Sequence, residues 1–318
     1  MTVAQSPIDF AAPGLSTQPA ALNADERATR RLGTYLTLPT QILLAFIVIF
    51  PLLMELYISL SSWTPLDGRN WLYAYRYWAG LDNYWELISN ARFWQSIGRT
   101  LFIMVVCVPV ELLLGLGLAL LFAGEFRGKR LFYSIMLMPM MVVPAVAGYM
   151  FFMLFQSGGP INNILSTLSG GAVSIAWLSR PNLALAAVMI ADIWQWTPLM
   201  FLILLAGLLG VPEDQLRMAT LLGAGPWWRF RLIVLPRIRA ILLIALAIGT
   251  IEIFKVFDTL YIMTTGGPGV STETISVYIY KVTMEDLQWS YVAAIALVIL
   301  VVLSALAAPA IKRFAPAR

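Results

Sequence analysis

The 318-residue chain has no histidine and one cysteine, Cys107. Without His, the commonest general base and the usual zinc ligand are missing. A single Cys inside an apolar run forms no internal disulfide and says little about redox compartment. Charge is scarce too. Asp, Glu, Lys and Arg make up 12% of the residues, about half of what soluble domains carry. The net charge of +4 makes no case for nucleic-acid binding. No nucleotide loop is present. Residues 124–130 (GEFRGKR) have three residues between the glycines instead of four, and Arg where Ser or Thr should follow Lys. Residues 266–269 (GGPG) read as a tight turn. With no Ser/His pair and no metal-ligand cluster, an intramembrane enzyme is disfavoured.

What the chain has is apolar length, with 60% of its residues hydrophobic. About 20 apolar residues cross ~30 Å of hydrocarbon at ~1.5 Å per residue. Six runs qualify, at about residues 35–60, 97–122, 131–155, 184–209, 238–263 and 290–311. The expectation is an all-α, polytopic membrane protein, with a transmembrane domain over 34–312. Residues 1–33 lack the basic-then-apolar layout of a signal peptide and read as a cytoplasmic tail. Pro51 predicts a kink in the first span. Aromatic residues such as Trp71, Tyr75 and Trp85 suit the membrane interface after it.

Six spans put both termini on one side, and Lys and Arg decide which. Fourteen of the 21 basic residues fall in the tail, the second-to-third connection, the fourth-to-fifth connection and the C-terminus. Six (Arg69, Arg76, Arg92, Arg99, Arg180 and Lys281) fall on the other side, and Lys255 lies within a span. The termini are therefore expected in the cytoplasm, in a bacterial inner membrane.

Ionisable groups within spans are costly, on the order of 3 kcal/mol each at the bilayer centre. Glu55, Glu111, Asp192, Glu252, Lys255 and Asp258 are therefore expected to face the interior or a wet cavity. Asp192 and Gln195 lie about 12–17 Å from the outer face by helical rise. They share a face with Trp196, and Trp194 and Thr197 are near. Acids and amides bond hydroxyls, and indole packs on the apolar face of a sugar ring, so these five are candidates for a solute path. Glu252, Lys255 and Asp258 recur every three residues and share a helix face. They fit either that path or an ion-pair ladder between helices. For Glu111 a structural hydrogen-bonding role is expected.

The connection over 211–236 does not read as a simple loop. Pro212, with Glu213 and Asp214, fits a helix start. Leu216, Ala219 and Leu222 recur at helical spacing, and Gly223 and Gly225-Pro226 end the helix. A second segment with Trp227, Trp228 and Phe230 runs into Leu235-Pro236. A structured helix-turn-helix between spans needs something to dock with.

Gly223, followed by Ile233-x-Leu235-Pro236 behind a basic-aromatic stretch, resembles the signature loop of permease subunits of bacterial ABC importers. From Leu36 on, nearly the whole chain is similar to the binding-protein-dependent sugar permeases of the maltose and glycerol-phosphate type. Examples are ADIWQWTPLMFLILLAGL over residues 191–208 and FDTLYIMTTGGPGVSTETISVYIYK over 257–281. The resemblance implies a MetI-like permease fold with no enzymatic activity and no cofactor of its own. It implies a second, homologous permease subunit as heterodimer partner. It also implies an ATPase dimer that holds ATP and Mg, and a periplasmic solute-binding protein. The coupling role would fall on Glu213, Asp214, Leu216, Arg217, Ala219, Thr220, Gly223, Ala224 and Pro236. Gly266, Gly267, Pro268 and Thr272 would belong to the surface meeting the binding protein. One departure stands out: Arg217 and Leu222 occupy positions where the family pattern has Glu and Asp. The competing class is a secondary transporter driven by an ion gradient, whose buried acids would be ion sites. It is disfavoured because no repeat of two halves is visible.

Overall fold

The computed structural model describes residues 24–171 and 173–314, all in helices and connecting segments apart from one isolated β-bridge, Ser61 to Trp78. The chain divides into two units, residues 1–55 and 56–318. Most of the expected cytoplasmic tail lies outside the described residues. Its last part is already helical, because α1 runs from Ala24 to Ser59 and continues past Pro39 and Pro51 without a break. Ala, Glu and Arg at its start favour that conformation.

The second unit begins with short turns and α2 (Asp82–Ser89), which precede α3 (Ala91–Ala123). α3 starts six residues before the expected span, because Asn90 caps it by accepting from the N–H groups of Arg92 and Phe93. α4 (Lys129–Met141), α5 (Pro144–Phe155) and α6 (Pro160–Leu168) follow, then α7 (Pro181–Leu209) and α8 (Glu213–Leu221). α9 (Pro226–Arg229) leads through a π-helical stretch, Phe230–Val234, into α10 (Leu235–Phe254). α11 (Asp258–Thr264), α12 (Ile275–Met284) and α13 (Trp289–Phe314) complete the chain.

Two expected spans are not single helices. The third bends by 96° between α4 and α5. Pro144 stands at the first position of α5, and it forces Val143 into extended geometry (φ −60°, ψ 134°). The fifth is one helix from Pro226, twelve residues earlier than expected, and stops at Phe254. Residues 255–257 are non-helical, and Asp258 opens α11. In hydrocarbon the carbonyls freed by such a break need partners. Here Phe254 O accepts from Ser276 Oγ at 3.3 Å and Val256 O from Thr274 Oγ1 at 3.5 Å. Among the described residues five helices are long and apolar enough to cross a membrane, or six if the bent pair Lys129–Met141 and Pro144–Leu168 counts as one span.

α3, α7 and α10 pack through glycine. A Cβ at Gly115 would stand 2.7 Å from Met200 Cβ and 2.8 Å from Phe201 N, and one at Gly207 would stand 2.8 Å from Ile241 Cδ1. Gly249 leaves room for Met200 Cε in the same way. Small residues let backbones approach where there is no hydrophobic drive between helices. Met200, Phe201, Leu204 and Ile238 fill the core beside these contacts.

Candidate functional site

The break in the third span and the break in the fifth meet at α7. Gln195, 2% exposed, donates from Nε2 to Val142 O at 3.0 Å. Its Oε1 accepts from Thr259 Oγ1 at 3.3 Å, and Thr259 Oγ1 also reaches Pro144 O at 3.0 Å. Gln195 thus brackets both breaks. Both ends of its amide are committed to this bracket, and it is not among the residues that line the recess beside it.

A recess of about 320 Å³ opens beside the bracket. It is lined by Pro144, Trp196, Glu252, Lys255, Val256, Phe257, Asp258 and Thr259. Four of the eight residues proposed for the path are therefore brought together. The other four are not. Trp194 packs edge-on against Phe151 at 5.2 Å, inside the core. Thr197 is buried among packed helices. Asp192 is 3% exposed and lies against Glu111 of α3. Both Glu111 oxygens and Asp192 Oδ2 lack a hydrogen-bond partner. The hydrogen bond that the expected structural role of Glu111 needs can form with Asp192 once one of the two carboxyls carries a proton to donate.

The three acids and bases of the fifth span also differ from expectation. Glu252 and Lys255 form an ion pair at 3.0 Å. Asp258 is no rung of a ladder, because the helix ends before it and α11 begins with it. The residues missed from sequence, Pro144, Val256, Phe257 and Thr259, are those at the breaks themselves. Of these only Pro144 carried a signal, as a helix-starting proline.

On the opposite end, α8 begins at Glu213 with Pro212 as its extended N-cap. Its C-terminus closes as expected. Gly223 takes φ +83°, its N–H bonds Thr220 O at 3.0 Å, and Ala224 N bonds Ala219 O at 2.9 Å. This is a Schellman closure, which a left-handed glycine permits. Leu216 is half-buried against the core, while Glu213, Asp214 and Arg217 are exposed. Arg217 Nη2 pairs with Glu213 Oε2 at 2.6 Å. Arg229 Nη1 donates to Thr220 Oγ1 at 2.7 Å, tying α9 to α8. Met218, Leu221, Leu222, Trp227 and Trp228 are exposed, Leu222 at 83%. Pro236 lies beyond the π-helical stretch, inside the helix and apart from the turn.

The loop after α11 is pinned from within. Thr264 and Thr272 hydroxyls bond at 2.7 Å, and Thr272 Oγ1 donates to Gly267 O at 3.0 Å. Thr272 is fully buried and Gly266 is buried against Val277 and Glu273. These two expected contact residues shape the loop from beneath, and Thr265, Gly269 and Val270 carry its exposed surface.

Helices long and apolar enough to cross a membrane, with two of the expected spans broken beside a recess, are those of a polytopic membrane protein. Residues 111–315 match the family described as binding-protein-dependent transport system inner membrane component. The chain is 35% identical over 304 residues to a probable ABC transporter permease protein (y4oQ) of Sinorhizobium fredii, covering 93% of this chain and 95% of that one. It is 34% identical over 247 residues to the trehalose/maltose transport system permease MalF of Thermococcus litoralis, covering 75% and 82%. A crystal structure of a bacterial ABC transporter that imports the acidic polysaccharide alginate superimposes with a TM-score of 0.75 at 18% identity, covering 91% of this chain and 98% of that one. The chain belongs to the family of binding-protein-dependent inner-membrane transport components and has its permease fold.

Proposed function

We propose that the chain moves a sugar, polyol or glycoside inward by alternating access, powered by a separate ATPase. The observation that carries this reading is the recess at the paired helix breaks. It combines an indole face with carboxylates and an ammonium. Its volume stands at the lower end of ligand cavities, roughly 300–1,000 Å³, which suits about one sugar ring. The trehalose/maltose relative supports a saccharide cargo.

In this reading a second, homologous permease completes the path, and an ATPase dimer holding ATP and Mg docks on α8. A periplasmic binding protein delivers the solute to the outer loop. The basic residues around α8, Arg217, Arg229, Arg231, Arg237 and Arg239, favour a cytoplasmic location for it. The termini then share that side. Docking would rest on the exposed Met218, Leu221 and Leu222 and on the rigid Gly223 turn. Arg217 does not demand an acid on the ATPase, since Glu213 already pairs with it.

Uptake into proteoliposomes holding the full importer tests this. Uptake should require both internal ATP and the binding protein. Uptake driven by an ion gradient without ATP would overturn it in favour of a secondary transporter.

A further inference from the structure

The recess carries unequal charge: two carboxylates, Glu252 and Asp258, against one ammonium, Lys255. The ammonium is committed, since Lys255 Nζ lies 3.0 Å from Glu252 Oε1. Asp258 is exposed and has no ion-pair partner among the described residues. The remaining walls, Pro144, Trp196, Val256, Phe257 and Thr259, are uncharged. A further carboxyl, Asp192, lies close enough to Glu252 to interact with it.

We propose that this recess sorts solutes by charge, with Asp258 as the specificity-determining residue. It admits neutral saccharides and those bearing a protonated amine, and it rejects uronates and sulfonated sugars. The proposal rests on reading the recess as part of the solute path. An anionic sugar here would meet an unpaired carboxylate. Its only cation would be Lys255, which already pairs with Glu252. An amine-bearing sugar meets the reverse situation, since Asp258 is a free counter-charge at the rim. The alginate importer shares the fold but handles an acidic polysaccharide, so cargo charge is a point on which the two should differ.

Equilibrium binding to the whole importer in nanodiscs, without binding protein, provides the test. The probes are radiolabelled methyl glucoside, glucosamine and glucuronate at millimolar concentration and mildly acidic pH. They are of similar size and differ in charge. Wild type should bind glucosamine at least as well as methyl glucoside, and glucuronate roughly tenfold more weakly, the order of one partly screened charge. Raising the salt should narrow that gap. Asp258→Asn should bring glucosamine and glucuronate close together, and Asp258→Lys should reverse their order. Trp196→Ala should weaken all three alike. Equal binding of glucuronate and glucosamine by wild type, at low salt, would overturn the charge inference while leaving the solute path intact. Absence of binding by any probe, with Trp196→Ala indistinguishable from wild type, would overturn the path reading and this inference with it. The wild-type comparison stands even if a variant fails to assemble.

Discussion

Glu273 is wholly buried, and its carboxylate receives Arg92 through both arms, Nε at 3.0 Å and Nη2 at 2.8 Å. The two residues are 181 positions apart, so this bidentate pair ties the start of α3 to the loop before α12. Arg99 Nη1 adds a bond to Glu273 O at 2.7 Å, and Lys281 stands 3.7 Å from Oε2. Arg92 also lies over the Tyr278 ring at 5.3 Å. Burial, with the Tyr291 hydroxyl, pushes the Tyr278 phenol up, so it stays neutral beside the pair.

Removing one partner of such a pair leaves an uncompensated buried charge, a loss of about 3–5 kcal/mol. Arg92→Ala, which strands the wholly buried Glu273 carboxylate, should therefore lower the melting temperature of the detergent-purified importer more than Glu273→Ala. Glu273→Ala strands Arg92 instead, but that side chain is 39% exposed and lies 3.9 Å from Asp286, so water and Asp286 relieve part of the cost. Equal shifts for the two variants would contradict this asymmetry.

Much of the fold could be read from apolar length. The helices α3, α7 and α13 follow directly from long apolar runs in which charge is rare, and Gly223 announced the end of α8 by its chemistry. The bend at Val142–Val143 was open to reading too, because Pro144 disfavours helix at the residue before it. The break at residues 255–257 was not. The sequence FKVFD contains neither Gly nor Pro and suits a helix locally. The cause is tertiary, as the carbonyls of Phe254 and Val256 find hydroxyls on Ser276 and Thr274. Helical periodicity assumed through that point made Glu252, Lys255 and Asp258 one face. It also hid that Gln195 bonds to both breaks.

Gln195 gives a sharper prediction about that bracket. Gln195→Leu keeps the side-chain bulk but leaves Val142 O without its donor and Thr259 Oγ1 with Pro144 O alone. A buried polar group left without its partner costs about 1–3 kcal/mol. The variant should melt earlier and transport more slowly. Its order of preference among saccharides should not change, because Gln195 does not line the recess. A changed preference, measured by uptake competition, would put Gln195 back among solute contacts.

Gly115 tests the close approach of α3 and α7. Gly115→Ala places a methyl against Met200 Cβ and the Phe201 backbone N, and neither is a flexible tip that can swing aside. Overpacking of this kind costs about 1–3 kcal/mol. At Gly117 nothing lies within 4 Å of the added atom. Gly117→Ala should therefore hold or slightly raise the melting temperature, since Ala favours helix by roughly 1 kcal/mol. The two substitutions, two residues apart on one helix, should move stability in opposite directions by thermal melting.

At α8 the departures from the family pattern separate charge from shape. Arg217 and Glu213 pair one turn apart with both side chains largely exposed. Such a pair contributes only about 0.3–0.5 kcal/mol. Arg217→Ala should therefore leave ATPase stimulation by the loaded binding protein nearly unchanged. Arg217→Glu would set two carboxylates at that spacing, loosening the first turns of the helix by a similar small amount. It should not improve coupling, because docking rests on the apolar surface. Leu222 is the opposite case. It is 83% exposed at the end of α8, and Gly223 fixes its direction. If it seats in an apolar cleft, then burying a side chain of its kind is worth about 1.5–3 kcal/mol. Leu222→Asp would replace that with a charge to desolvate, so stimulated ATPase activity should fall by tenfold or more while the importer still assembles. Should Arg217→Glu raise the stimulated rate and Leu222→Asp leave it intact, the ATPase would be reading acidic charge at this loop, and docking by shape would be ruled out.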